Sequence, residues 1–419
     1  MTDADSAQRL GGGPLAGIRV LDYAQYVAGP FAAMLLADLG AEVIKVEPPS
    51  GDAWRHYEPI TPDGGTRFIS LNRNKKSVVA DLKTSEGREF SDALIRTADI
   101  VVHNMPPARA KAFGLDRERV REVNGDAVWC CVSAFGSSGP EASTLGYDLI
   151  AQAASGLLMA DVQPGEEVPR RSGGIAMADL TAGLLTLSAA LVGLADRLRR
   201  GGEGNAKGIE VSLLGASLAV QVQRFVSIDM DANENTPPIV VDRARLTDAA
   251  AELRSVDELE PYYRCYEAAD GFVALACLNQ TQRIKVQSLL GVEDLWSANP
   301  QALPADAGER TMRAGLKDRF AAIFMTRPVS WWLQEFSAAG VPLGPVLDIA
   351  DAHQSTQVHA NGLVQRINQP GFGSVSVLGS VFKVEGVSAT AELAAPGLGE
   401  HTDHFRSILS QAALAEGTS

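Results

Sequence analysis

The chain has 419 residues, 46% hydrophobic and 21% charged, and 37 Lys and Arg stand against 51 Asp and Glu for a formal charge of −14. That length predicts two domains, or one large domain carrying a smaller one, because single cores stop growing near a few hundred residues. The acidic balance argues against a nucleic-acid footprint or an anionic membrane surface, so any anionic ligand must meet a local basic patch.

In chain order, Met1–Gly13 is polar and Gly-rich without the basic flank and apolar run of a signal peptide, and reads as a tail. Strand and helix signals then alternate. Gly17–Tyr23 is an apolar, β-rich run, Pro30–Leu39 has helical spacing, and Ala41–Val46 is strand-like again. The series continues with Ser77–Leu82, a helix over Glu86–Thr97, and strands at Asp99–Val102 and Ala127–Val132. Such alternation predicts a mainly parallel, Rossmann-like sheet covered by helices on both faces.

The next stretch, Gly173–Ala195, holds one charged side chain, Asp179. Between Asp179 and Asp196 lie sixteen uncharged residues, short of the roughly twenty that a bilayer core requires, so a buried helix of a soluble core is expected. Beyond Leu194 come the Gly-rich Arg200–Gly208, an extended Ile209–Ser212 and a polar connector over Asp229–Glu260. A strand at Gly271–Cys277 and helices around Arg310–Met325 and Val329–Ala339 follow, then a strand at Ser374–Leu378 and a helix at Asp403–Ala415. The expected division is a large α/β domain over 1–225, a connector and smaller α+β domain over 226–340, and a return segment over 341–419.

Several kinds of chemistry lack their signatures. Cys130, Cys131, Cys265 and Cys277 form no metal or disulfide spacing, which predicts no metal site and a reducing, cytoplasmic setting. No Gly-x-Ser-x-Gly, His-Glu-x-x-His or Walker loop is present, and the six histidines are scattered. Gly29 and Glu47 are spaced for a nucleotide turn and its ribose ligand, but the full Gly-x-Gly-x-x-Gly fingerprint is missing. Two features remain. Arg67, Arg73, Lys75, Lys76 and Lys83 fall within seventeen positions, followed by Arg109 and Lys111, and suit either phosphates at strand ends or a solvated face. Asp179 suits either a helix N-cap, though Ala182 stands where a capping box needs Glu or Gln, or a reactive carboxylate.

An ordered set of motifs carries a resemblance. It runs from Pro14–Asp22 through Ala28-Gly29-Pro30, Leu39–Glu47, Asn72–Ser77 and Gly146–Leu149 with Gln152 to the Asp179 stretch, Gly344-Pro345-Val346 and Leu398–Thr402. In this the chain resembles the class III CoA-transferases, the family of formyl-CoA transferase, carnitine CoA-transferase and the α-methylacyl-CoA racemases. The resemblance implies an interlocked homodimer that uses coenzyme A as acyl-CoA donor, with a small carboxylic acid as acceptor. It puts Asp179 on the family's nucleophilic aspartate and Asp148 on a supporting acid. It puts Lys83 and Asn104 on CoA contacts and Val27 near the thioester, and gives Arg73, Lys75, Arg109 and Lys111 a purpose as phosphate ligands. An aspartate ionised at neutral pH needs no general base.

Departures from the family pattern are Pro48 and Ala112, where basic residues are common, and Tyr147, where racemases carry the His of a His/Asp pair. Neutral Tyr is a poor base, so transfer is expected over racemisation, with a non-catalytic acyl-CoA binding subunit as a third reading. No glycine run lies between Asp229 and Glu335, unlike the formyl-CoA branch, so an oxalate enzyme is not expected.

Overall fold

The computed structural model describes residues 13–58, 60–61, 64–160, 168–201, 207–223, 225, 260–299, 305–385 and 393–416. Residues 1–12 of the expected tail and 229–259 of the expected connector lie outside them.

A strand covered on both faces must bury every side chain. β1 (Arg19–Asp22) buries all but its first residue, the partly buried Arg19, with Val20 in one apolar cluster and Leu21 in another across the sheet. β2 (Glu42–Glu47), β3 (Lys75–Val79), β4 (Ile100–His103), β5 (Val128–Ser133) and β6 (Gly208–Ser212) join it in one parallel sheet of order β3-β2-β1-β4-β5-β6. The order reverses direction between β1 and β4, and in such sheets ligands bind outside the carboxyl ends of the strands at that switch.

Helix α1 (Ala28–Asp38) packs on the face of Val20, Val43 and Ile100. Gly29 sits where its chain passes so close to Ala24 that an added Cβ would stand 2.2 Å from the Ala24 Cβ. Helix α2 (Ser85–Arg96), capped by Thr84, covers the opposite face through Phe90, Leu94 and Ile95. Helices α3 (Asp148–Ala154), α4 (Met177–Arg199) and α5 (Leu213–Ala219) complete the site side. α4 buries one stripe, from Ala178 through Ala182, Gly183, Leu187 and Ala190 to Leu194, while Leu184, Val192 and Leu198 stay exposed. The helix expected to be buried is therefore buried on one face. Gly183 permits the close crossing, since a Cβ there would meet the Ala28 carbonyl oxygen at 2.9 Å.

The chain divides into a unit of 1–227 with 359–419 and a second unit of 228–358. The second unit's described part has antiparallel strands β7 (Tyr263–Ala268), β8 (Gly271–Ala276) and β9 (Leu343–Pro345), packed with α6 (Gln280–Leu290), α7 (Ala307–Phe324) and α8 (Val329–Ala338). It runs past the expected end at 340 because β9 pairs with β8, Leu343 opposite Leu275. Tyr262, Tyr266 and Trp332 belong to its core with Phe320, Phe324 and Phe336, whereas Tyr263 and Trp331 are exposed. In the first unit, β10 (Val364–Gln369) and β11 (Gly373–Leu378) form a hairpin, and α9 (Thr402–Glu416) returns to the sheet. The outer edge of β3 is covered there. Ser77 accepts from the His401 and Gly399 amides, Val79 donates to the Thr402 hydroxyl, and Asn74 exchanges bonds with Leu393.

Candidate active site

Two cavities open at the carboxyl ends of the strands, one beside the loops after β1, β2, β3 and β4 and the other beside those after β1, β4 and β5. One, of about 510 Å³, is lined by Pro48, Pro49, His56, Lys83, Arg109 and Phe113 among others. The second, of about 830 Å³, is lined by Val27, Asn104, Tyr147, Asp148, Arg171 and Asp179 among others. Tyr23, Gln25, Met105 and Arg109 line both, so the two adjoin as one trough; Lys83 and His56 line the first part, and the second holds the Asp148 and Asp179 carboxyls together with Arg67 and Arg171.

Asp179 is the third residue of α4 and is half-buried. It is not the N-cap. That position is Ala176, which has no side chain to offer, and the cap arrives from another helix. Asp148 Oδ1 accepts from the Ala178 amide at 2.9 Å and the Asp179 amide at 3.3 Å, and its Oδ2 accepts from Gln152 Nε2 at 2.8 Å. Gln152 Oε1 then accepts from the Ser172 amide at 3.1 Å, tying the loop before α4 to the same helix. Asp148 itself is buried at the start of α3.

Asp179 is left in an environment hostile to charge. Burial first, and the nearby Asp148 carboxylate second, push its carboxyl up from 3.8 to about 7. Full ionisation at neutral pH, the simple expectation, is thus opposed by the site, which holds the carboxyl well above the usual carboxylate range. Once ionised it is a poorly solvated carboxylate, more basic than that of a surface aspartate.

An aromatic wall flanks the pair. The Tyr26 ring lies 5.6 Å from both Trp54 and Tyr147, edge to face, and its backbone is held at φ 69°, a left-handed conformation that a bulky residue rarely adopts. Tyr147, at the position where racemases carry His, is exposed against this wall, and no histidine lines the Asp179 cavity among the described residues.

The remaining expected site residues separate by burial. Lys83 and Arg109 are exposed and line the trough. Lys111 is exposed but lines neither cavity. Val27 lines the second cavity as the N-cap of α1. Asn104 lines it too, with its amide clasping the Gln25 backbone at 3.0 and 2.7 Å, so it shapes the β1 loop.

Arg73 and Lys75 are elsewhere. Arg73 is buried against Asp38 at 2.5 Å. Lys75 spends its three ammonium protons on Asp22 at 2.8 Å, the Pro30 carbonyl at 2.8 Å and Asn72 at 2.9 Å. Neither has a donor placed for a phosphate in the trough, and both are corrected to core ion pairs. Burial disfavours charge on Asp22, but Lys45 and Lys75 outweigh it and hold its carboxyl below the usual range. Glu47 is engaged likewise, by Arg55 at 2.8 Å and the Ser77 hydroxyl at 2.6 Å, which removes it as a ribose ligand.

Gln152, Tyr26, Trp54, His56 and Arg171 were not anticipated as site residues. The i, i+4 spacing of Asp148 and Gln152 was an available signal, and so was the Arg170-Arg171 pair ahead of Asp179. Nothing in the sequence marks the Tyr26 backbone.

The family model described as CoA-transferase family III matches residues 15–402. The chain belongs to that family. It is 32% identical to succinyl-CoA:glutarate CoA-transferase of Mus musculus over 96% of this chain and 87% of that protein. It is also 32% identical to succinate–glutarate CoA-transferase of Agrobacterium fabrum, over 84% of each. Among solved structures it is similar to a CaiB/BaiF family protein of Brucella suis, with a TM-score of 0.73, 27% identity and coverage of 95% of this chain and 100% of that one. The chain is accordingly a family III CoA-transferase acting on CoA thioesters. Among the described residues, no group of three or more His, Cys, Asp or Glu comes together to hold a metal ion.

Proposed function

We propose that the chain moves CoA from an acyl-CoA thioester to a carboxylic acid with Asp179 as covalent nucleophile. The observation that carries this is the position of a desolvated carboxyl, raised to about 7, in the part of the trough away from Lys83, with Arg109 lining both parts. CoA lies along the trough with its phosphates toward Lys83, His56 and Arg109 and its thioester toward Val27.

An Asp179 oxygen attacks the thioester carbonyl, the C–S bond breaks, and a mixed anhydride and CoA thiolate result. The thiolate attacks the aspartyl carbonyl, releasing the donor acid as carboxylate and leaving an aspartyl-CoA thioester. The acceptor carboxylate attacks that thioester to form a second anhydride, and the returning thiolate takes the acceptor acyl group and frees Asp179. No net proton is consumed. The Asp148 cap fixes the backbone of the nucleophile, while the first turn of α1, which has no side-chain cap at Val27, supplies amides for the tetrahedral oxyanion.

Relatives named for succinate, glutarate and mesaconate make dicarboxylic acids the first substrates to try. The exposed apolar side chains of α4, Leu184, Val192 and Leu198, support a homodimer contact, which sedimentation would test. The test of the chemistry is peptide mass spectrometry after incubation with a panel of acyl-CoA donors and then hydroxylamine. A donor-dependent hydroxamate on Asp179 is expected. An unmodified Asp179 with every donor, in protein that binds CoA, overturns the mechanism.

A further inference from the structure

Five charged side chains line the Asp179 cavity: Arg67, Arg109, Asp148, Arg171 and Asp179. Four of them are accounted for. Arg109 also lines the CoA end of the trough, and Arg67 pairs with Glu58 at 3.1 Å beneath Trp54 and Tyr57. Asp148 is committed to the α4 amides and Gln152, and Asp179 is the proposed nucleophile.

Arg171 is different. Its guanidinium folds back to donate to the Gly174 carbonyl, which fixes the side chain beside the start of α4, and no carboxylate pairs with it among the described residues. No ion pair joins it to Asp179 either, so it stands apart from the nucleophile while lining the same cavity. A guanidinium with no counter-charge among the described residues, lining a cavity in a chain of net charge −14, marks a place where the ligand brings the anion.

We infer that Arg171 is a specificity residue that grips the second, unreacted carboxylate of a dicarboxylic acyl group while the first is joined to CoA or to Asp179. This rests on the proposed Asp179 chemistry. A planar guanidinium suits that task because it meets a carboxylate through two parallel N–H donors, and an uncharged acyl chain of equal length leaves those donors unpaired.

The test compares succinyl-CoA with butyryl-CoA, and glutaryl-CoA with pentanoyl-CoA, as donors for hydroxamate labelling of Asp179 in wild type, Arg171→Gln and Arg171→Lys. Wild type should label faster with the dicarboxylic member of each pair. In Arg171→Gln that preference should fall roughly 10- to 100-fold, through the concentration of donor needed for half-maximal rate, with labelling by butyryl-CoA kept within about twofold. Arg171→Lys should recover part of it. A preference unchanged in Arg171→Gln, equal loss with both members of a pair, or a wild-type preference for the uncharged donor overturns the role of Arg171 while leaving the nucleophile in place. Absence of labelling in wild type with any donor overturns the Asp179 chemistry itself and this inference with it.

Discussion

Replacing Asp179 by Asn should abolish transfer and at the same time make the protein more stable. A carboxyl at 3.8 in the unfolded chain and about 7 in the folded one takes up a proton on folding, so stability falls as pH rises between those values. The sign is that of an acid whose ionised form is disfavoured by the fold. The penalty is absent near pH 3, about 2 kcal/mol at pH 5 and about 4 kcal/mol at pH 8. Asn is of similar size and neutral at every pH, so it escapes this cost and also relieves the repulsion with Asp148. Urea unfolding of wild type and Asp179→Asn at pH 4, 6 and 8 would measure it, with the variant's advantage growing toward high pH. A variant less stable than wild type at pH 8, or an advantage independent of pH, would refute the burial and charge argument.

Labelling of Asp179 by an acyl-CoA donor should lose about tenfold per pH unit below 7, because only the ionised carboxyl attacks; a profile flat down to pH 5 would contradict that. Asp148→Asn keeps an oxygen for the α4 amides but removes the neighbouring charge, so the same labelling profile should move to lower pH, whereas Asp148→Ala should also cost roughly 1 to 2 kcal/mol in chemical unfolding through loss of the cap. Lys75→Ala should destabilise the fold by roughly 3 to 5 kcal/mol by leaving Asp22 short of a partner. Lys83→Ala should leave unfolding within about 0.5 kcal/mol of wild type and weaken CoA binding in calorimetry.

The parallel sheet was legible in the sequence because each strand is an apolar run between helical patterns, and the observed strands sit within a few residues of those expected. Asp179 was legible because a single charge in a long apolar stretch is conspicuous. What surrounds it was not. The cap that orders its helix comes from Asp148, 31 positions earlier, and local sequence cannot distinguish a cap supplied from a distance from one supplied by Asp179 itself. The basic cluster misled for a related reason. Arg73 and Lys75 look like surface charges in a list, and only the fold reveals Asp38 and Asp22 beneath them. Lys83, a few positions on, has no such partner among the described residues and stays at the trough. The end of the second unit was missed because β9 is only three residues long and is defined by pairing with β8 rather than by any pattern of its own.

The covering of β3 by residues 393–402 bears on how the chain is made. A parallel strand at the rim of a sheet carries a row of open amides and carbonyls that invite other chains, and here the shield is encoded some 320 positions downstream of the strand it protects. At roughly 5 to 20 residues per second, a ribosome needs on the order of tens of seconds to deliver it. During that interval the sheet has an unguarded rim while the whole second unit is being synthesised. Until then the rim is open to pairing with other chains, and a product truncated anywhere between the two segments lacks the shield.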